Sequence, residues 1–429
     1  MTSRSVPSEI RRPGTGSRAG VAAAALALLP ALLAVSACGS STGPADQSAA
    51  AGDYAVMTWA PSGTGSDDRP GVTVLADAIG RDTNTKGGIH GGKLRVITCN
   101  EHNTADGATA CVRQAVDARV VAVVGSYSQY ADTFMPLLEA AGIPYIGGYG
   151  LSGPEFSSPF SYPVAGGTPA LIAGSGRQLA AAGCRSVAVV RPDNPAGDTL
   201  TTYLGGALQP DGVALVDVKV PEKAADFGDT VRKAVNGDQR GGCVTNALGP
   251  EQTLKLIDAY KQLDPRHTLF SSVIGSVQQS VIDSTGGANG PLNGTYATGW
   301  YPPESSHVWD TLRSEAGGDT RIVTSDLAVQ TTWVAYQVLL QAADRLNSAG
   351  TPLTAKNLRG QLDSGDTLDT GGVTPALSWG QTDMLPSAES PRLVNTWVTF
   401  QQVQDGKLAP QQNGFVDVRW VLTGGKPPQ

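Results

Sequence analysis

At 429 residues the chain exceeds the size over which one hydrophobic core keeps growing, so two domains are the expectation. Its 31 Lys and Arg residues are outnumbered by 38 Asp and Glu, giving a formal charge of −7 with no basic run. Phosphate binding needs clustered cations, so this balance argues against a nucleic-acid partner and describes a soluble acidic protein.

The chain opens with Arg4, Arg11, Arg12 and Arg18, followed by an apolar run from Ala19 to Val35 and then Ser36-Ala37-Cys38. Positive charge, a short apolar stretch and small residues before a cleavage point describe an export signal over residues 1–37. The run is too short for a membrane span and contains Pro30. A Cys placed directly after the small residues resembles the bacterial lipobox. That resemblance implies that Cys38 is lipid-modified, becomes the mature N-terminus and anchors the protein to the outer face of the plasma membrane. Removing the leader's +3 from the chain's −7 leaves −10 on the remainder. Residues 38–52, rich in Ser, Gly and Ala, read as a flexible tether.

With Cys38 assigned to lipid, Cys99, Cys111, Cys184 and Cys243 remain, an even number in an exported protein. Three pairings are possible. Cys99–Cys111 and Cys184–Cys243 are favoured because each pair falls within one expected domain. No two Cys stand at C-x-x-C spacing and His90, His102, His267 and His307 are scattered, so no metal site is expected.

From Tyr54 the chain alternates strands and helices. Strands are expected at Tyr54–Trp59, Lys93–Thr98, Val120–Gly125 and Pro144–Gly147, with helices at Pro70–Thr83, Asp106–Ala118 and Ala131–Ala141. Near-continuous β-branched runs such as Val120, Val121, Val123 and Val124 suit strands buried on both faces. Strict alternation implies βαβ units and a parallel sheet. After a Ser/Pro/Gly-rich stretch at 157–167 the pattern restarts and runs to about Asp283, enough for a second sheet. Ser325–Asn347 is a long core helix rather than a span, because Gln330, Gln337, Gln341 and Asp344 interrupt it. Thr396–Val403 and Gly414–Leu422 read as β.

The segment Lys86-Gly87-Gly88-Ile89-His90-Gly91-Gly92-Lys93 is a glycine-rich turn feeding a strand. In this setting it resembles the signature of the extracytoplasmic solute-binding proteins of branched-chain amino-acid ABC transporters. Val123-Val124-Gly125-Ser126-Tyr127-Ser128, Ala141-Gly142-Ile143-Pro144 and Gly371-Gly372-Val373-Thr374-Pro375 resemble later motifs of that family in order. The resemblance implies an α/β fold of two Rossmann-like lobes with parallel sheets joined by three crossovers, the type I periplasmic binding protein fold. Lobe 1 is placed at 53–164 plus 298–372 and lobe 2 at 165–297 plus 373–429. The crossovers are expected near Pro163–Gly166, Thr295–Gly299 and Gly371–Pro375. Function is then capture of a solute in the interlobe cleft by a monomeric receptor that needs no cofactor and delivers to an ABC permease with its ATPase subunits.

Carried over position by position, the resemblance places solute contacts at Ser126, Tyr127, Ser128 and Gln129, then at Tyr149, Gly150 and Leu151, where the family often has Thr. Trp59 opens the first cleft loop. In lobe 2 the set is Asp193, Asn194, Asn246 and Val273, the last standing about where the family carries a carboxylate for the solute ammonium. No Asp or Glu lies between Thr268 and Gln279, so either another acid such as Asp193 serves or the solute is no α-amino acid. A solute larger or less zwitterionic than leucine is expected. Two rivals are a sensory lipoprotein of the same fold and a cleft enzyme. G-x-S-x-G, H-E-x-x-H and P-loop motifs are missing, and Gly63-Thr64-Gly65 is followed by Ser66-Asp67-Asp68 rather than a dinucleotide fingerprint.

Overall fold

The computed structural model describes residues 52–428 except 65, 66, 222, 223 and 274. The leader, Cys38 and the tether up to residue 51 lie outside the described residues. Strands are numbered in chain order.

The first sheet contains β1 (Tyr54–Trp59), β2 (Leu94–Cys99), β3 (Ala122–Val124), β4 (Tyr145–Ile146) and β5 (Ser161–Tyr162), ordered β2-β1-β3-β4-β5 and parallel throughout. Ala122, Val123 and Val124 are fully buried, as expected of a central strand covered by helices on both faces. The glycine signature has a steric cause. After the helix Pro70–Thr85 the chain reverses through Gly87 and Gly88, both at positive φ, and closes on an Ile89–Gly92 bridge. A Cβ on Gly88 would stand 2.0 Å from the Gly92 carbonyl oxygen, so only glycine fits.

The second sheet contains β6 (Ser186–Pro192), β7 (Ala214–Val220), β8 (Gly242–Asn246), β9 (Leu269–Val273), β10 (Tyr296–Gly299), β11 (Trp397–Gln404), β12 (Lys407–Pro410) and β13 (Val416–Asp417). Its order is β12-β11-β10-β9-β8-β6-β7, with β13 on β11. Strands β6 to β10 pair in parallel and β11 runs antiparallel to its neighbours. Asp405 and Gly406, both at positive φ, make the two-residue turn between β11 and β12.

Both disulfides take the favoured pairing: Cys99–Cys111 ties the end of β2 to the helix Ala105–Asp117, and Cys184–Cys243 ties β8 to the turn after the helix Gly167–Ala181. The long helix Leu327–Ser348 is buried along most of its length and packs on the helix Pro70–Thr85. Its Tyr336 hydroxyl meets Thr58 Oγ1 of β1 at 2.8 Å.

Several expectations need correction. Thr295–Gly299 cannot be the second crossing, because Tyr296–Gly299 is β10, hydrogen-bonded to β9 and β11; the chain leaves only after Gly299. Gly371–Pro375 is a turn closed by a Leu368–Leu377 bridge, and the second sheet is rejoined only at Trp397. Of Gly414–Leu422 only Val416–Asp417 pairs as strand, and Arg419–Leu422 is helical. The helices Asp310–Ala316 and Ala355–Leu362 were not expected from the pattern. Each spans about two turns, too short for periodicity to declare itself.

The crossings are bonded to one another. Asn395 Nδ2 donates to the Val164 carbonyl at 2.8 Å, and Trp300 Nε1 donates to the Gly167 carbonyl at 3.0 Å.

Candidate functional site

A cleft of about 520 Å³ opens where loops at the carboxyl ends of strands from both sheets face each other. In parallel α/β sheets that is where ligands bind, because the chain must splay apart there.

Its first wall is built around Arg69. This residue precedes Pro70, which starts a helix, so its side chain projects from the helix's first turn. Nη1 bonds Asp326 Oδ2 and Nη2 bonds Asp67 Oδ1, both at 3.0 Å. Asp326 is itself fixed as the N-cap of the long helix, accepting from Ala328 N at 2.7 Å. The guanidinium lies 5.0 Å above the Tyr127 ring. Tyr127 donates its hydroxyl to Asp67 Oδ2 at 2.9 Å, and the Gln129 amide donates to the same oxygen. Burial disfavours the charge on Arg69, but Asp326, Tyr127, Tyr149 and Asp67 outweigh it and hold the pKa above its ordinary value. Burial likewise pushes the Tyr127 and Tyr149 hydroxyls up, so both stay neutral donors.

Aromatic rings continue the wall. Tyr127 and Tyr149 are 4.9 Å apart, and Tyr149 meets Trp300 edge-on at 5.3 Å. The loop carrying Tyr149 is held from beneath by buried Glu155, which accepts from the backbone N–H groups of Gly150, Leu151 and Ser152 at 3.0, 2.7 and 3.1 Å. Burial pushes Glu155 up to about 6 despite those bonds. Burial also pushes the neighbouring Glu101 up to about 7.

The second wall contains Pro192, Asn194, Ala247, Leu248, Gly249, Val273, Gly275 and Ser276, none of them charged. Asn194 caps the helix Pro195–Leu208 through Gly197 N at 2.8 Å, and Gly249 precedes the helix Pro250–Leu263. Two helix N-termini therefore direct partial positive charge at the cleft.

Of the residues expected to hold solute, Tyr127, Gln129, Tyr149, Leu151, Asn194 and Val273 come together around this cleft. The others do not. Trp59 is fully buried against Phe134 and Tyr145, because alternation along β1 turns it into the core. Ser126 is buried with Oγ accepting from Trp59 N at 3.0 Å. Ser128 is buried with Oγ accepting from Tyr130 N at 3.1 Å. Asn246 is buried inside lobe 2, donating to Ser272 Oγ and accepting from Thr253 Oγ1. Asp193 is exposed and paired with Lys219 at 3.2 Å rather than turned to the cleft. Gly150 lies beyond this wall, beside an adjoining hollow.

Asp67, Arg69, Asp326 and Trp300 were missed. The charged run Asp67-Asp68-Arg69 directly before a helix-starting Pro was a usable local signal. Pairing with Asp326, 257 residues away, was not.

The model of the periplasmic binding protein family matches residues 43–407, and the chain belongs to that family. Solved structures share the fold at low identity. The structure of a branched-chain amino acid ABC transporter from Thermus thermophilus with bound valine is 13% identical at a TM-score of 0.67, covering 87% of this chain and 99% of that one. A solute-binding protein of an ABC transporter from Rhodopseudomonas palustris BisB5, in complex with 3,4-dihydroxybenzoic acid, is 16% identical at 0.66, covering 85% and 98%. A fatty acid ABC transporter substrate-binding protein from Thermomonospora curvata is 12% identical at 0.65, covering 86% and 93%. No curated protein is significantly similar in sequence. Members of this family act outside the cytoplasm as solute-binding proteins.

Proposed function

We propose that this protein is the solute-capturing receptor of an ABC importer, monomeric, without catalytic activity, and held at the outer face of the membrane by lipid on Cys38. The cleft carries the reading: an aromatic and hydrogen-bonding wall on one lobe faces an uncharged wall with two helix N-termini on the other. Solute touching both walls favours the closed arrangement by its differential affinity, and a permease then recognises that arrangement.

The same cleft argues against a small α-amino acid as cargo. Val273 offers no charge to a solute ammonium, and Asp67 already accepts from Arg69, Tyr127 and Gln129. Burying an ammonium with no free carboxylate costs several kcal/mol. The named cargoes of similar folds, valine, a dihydroxybenzoic acid and fatty acid, span wide chemistry, so fold likeness leaves the cargo open.

A thermal-shift screen of amino acids, amides, aromatic acids, amines and sugars tests the reading. A solute class that raises the unfolding midpoint and is recovered unchanged supports it. Chemical conversion of that solute, or no shift from any class, contradicts it.

A further inference from the structure

A second hollow of about 510 Å³ adjoins the cleft and shares Leu151, Thr168, Pro192, Asn194 and Ala247 with it. The second hollow differs in chemistry. Phe156, Leu200, Tyr203 and Pro169 give it apolar walls beside the hydroxyls of Ser152, Thr168, Thr199 and Ser390, and charge enters only at the rim, with exposed Glu389. Leu151 sits at the join and is 39% exposed, among the few large apolar side chains of the described residues left open to solvent. Its backbone N–H is fixed by Glu155, and the residue lines both hollows. An apolar side chain held there gains only when something apolar covers it.

Charge narrows the class further. Among the described residues lining either hollow, Asp67, Arg69 and Glu389 are the charged ones, and Asp326 stands behind Arg69. The single cation is claimed by two carboxylates, so the combined site is net negative. An anionic head at Arg69 would have to displace one of its carboxylates, and a cationic head would meet an Asp67 already engaged and the two helix N-termini of the facing wall.

We propose that the solute is an elongated amphiphile whose polar head is uncharged. The head lies against Tyr149 beside Asp67, and the apolar chain or ring passes over Leu151 into the Phe156–Leu200–Tyr203 hollow. This inference rests on the receptor reading and names its cargo class.

Titration calorimetry of the purified protein with phenylalkyl amines, amides and carboxylates of two, four and six methylenes tests it. Affinity in the amide series is expected to rise roughly threefold per added methylene, near the hydrophobic increment. Amines and carboxylates are expected to bind at least tenfold more weakly at every length. Ser390→Trp, at the far rim of the second hollow, should flatten the length dependence and leave the shortest amide's affinity unchanged, and Leu151→Asn should flatten it as well. Binding that is independent of chain length, charged heads that bind as well as amides, or variants that keep the full gain all overturn the amphiphile while leaving a receptor. If no short or long solute of any class binds, the receptor reading fails and this inference with it.

Discussion

Trp300 donates its indole N–H to the carbonyl oxygen of Gly167 at 3.0 Å, and so fastens the second crossing between the lobes to the end of the first. The same ring meets Tyr149 at 5.3 Å and lines the cleft. Hinge and binding wall thus share one buried side chain, which gives solute on that wall a direct mechanical link to the crossings.

Replacing Trp300 with Phe removes the donor and strands a buried carbonyl. Loss of stability of about 1–3 kcal/mol is expected, read from denaturant unfolding. Solute affinity should fall as well, because the smaller ring leaves a gap beside Tyr149 on the cleft wall.

Arg69 compensates Asp67 and Asp326 in a half-buried setting. Arg69→Met should cost roughly 2 kcal/mol or more by leaving two carboxylates facing each other. Adding Asp326→Asn to that variant should restore part of the loss, a coupling that a double-mutant cycle reads directly. Additive losses would show that the trio acts through packing alone.

Glu101 and Glu155 give a pH dependence with a definite sign. Burial raises Glu101 from 4.5 to about 7 and Glu155 from 4.5 to about 6. Between those limits the folded protein holds protons that the unfolded chain releases. The stability they contribute is therefore complete below about pH 4.5 and lost as pH rises through 6 to 7. For Glu101 the loss is on the order of 3 kcal/mol. Unfolding midpoints across this window should fall with pH, and Glu101→Gln should flatten the slope.

Cys38→Ala removes the proposed acceptor for lipid. The variant is expected in the medium or as an unprocessed precursor, whereas the parent fractionates with membrane; several acyl chains hold stably where one does not. Membrane fractionation that is the same for both would contradict the anchor.

Much of the architecture was legible because its signals are local. Tyr54–Trp59 and Ala131–Ala141 end where the pattern of apolar residues, Pro and Gly says they should. Gly88 and Gly92 betray a turn too tight for any other residue. The disulfide pairing followed from domain membership. The crossings were harder, because β10 carries only four residues, Tyr-Ala-Thr-Gly, and its strand character comes from the flanking β9 and β11. At the site, loop position was legible and side-chain direction was not. Ser126 and Tyr127 are neighbours, yet one is consumed by a backbone N–H of β1 and the other forms the cleft wall. The charged trio joins residues on opposite ends of the sequence, and no local pattern announces such a contact.

Closure of the two lobes over solute is the central claim, and Gly275 makes it measurable. A Cβ placed there would stand 3.5 Å from the Tyr149 hydroxyl across the cleft, so a larger side chain has to hold the walls apart. Small-angle scattering of the parent and of Gly275→Leu, each with and without a solute that binds the parent, reads the result. The account predicts a smaller radius of gyration on adding solute to the parent and none of that contraction in the variant. A solute that binds the parent without contracting it would contradict capture by closure.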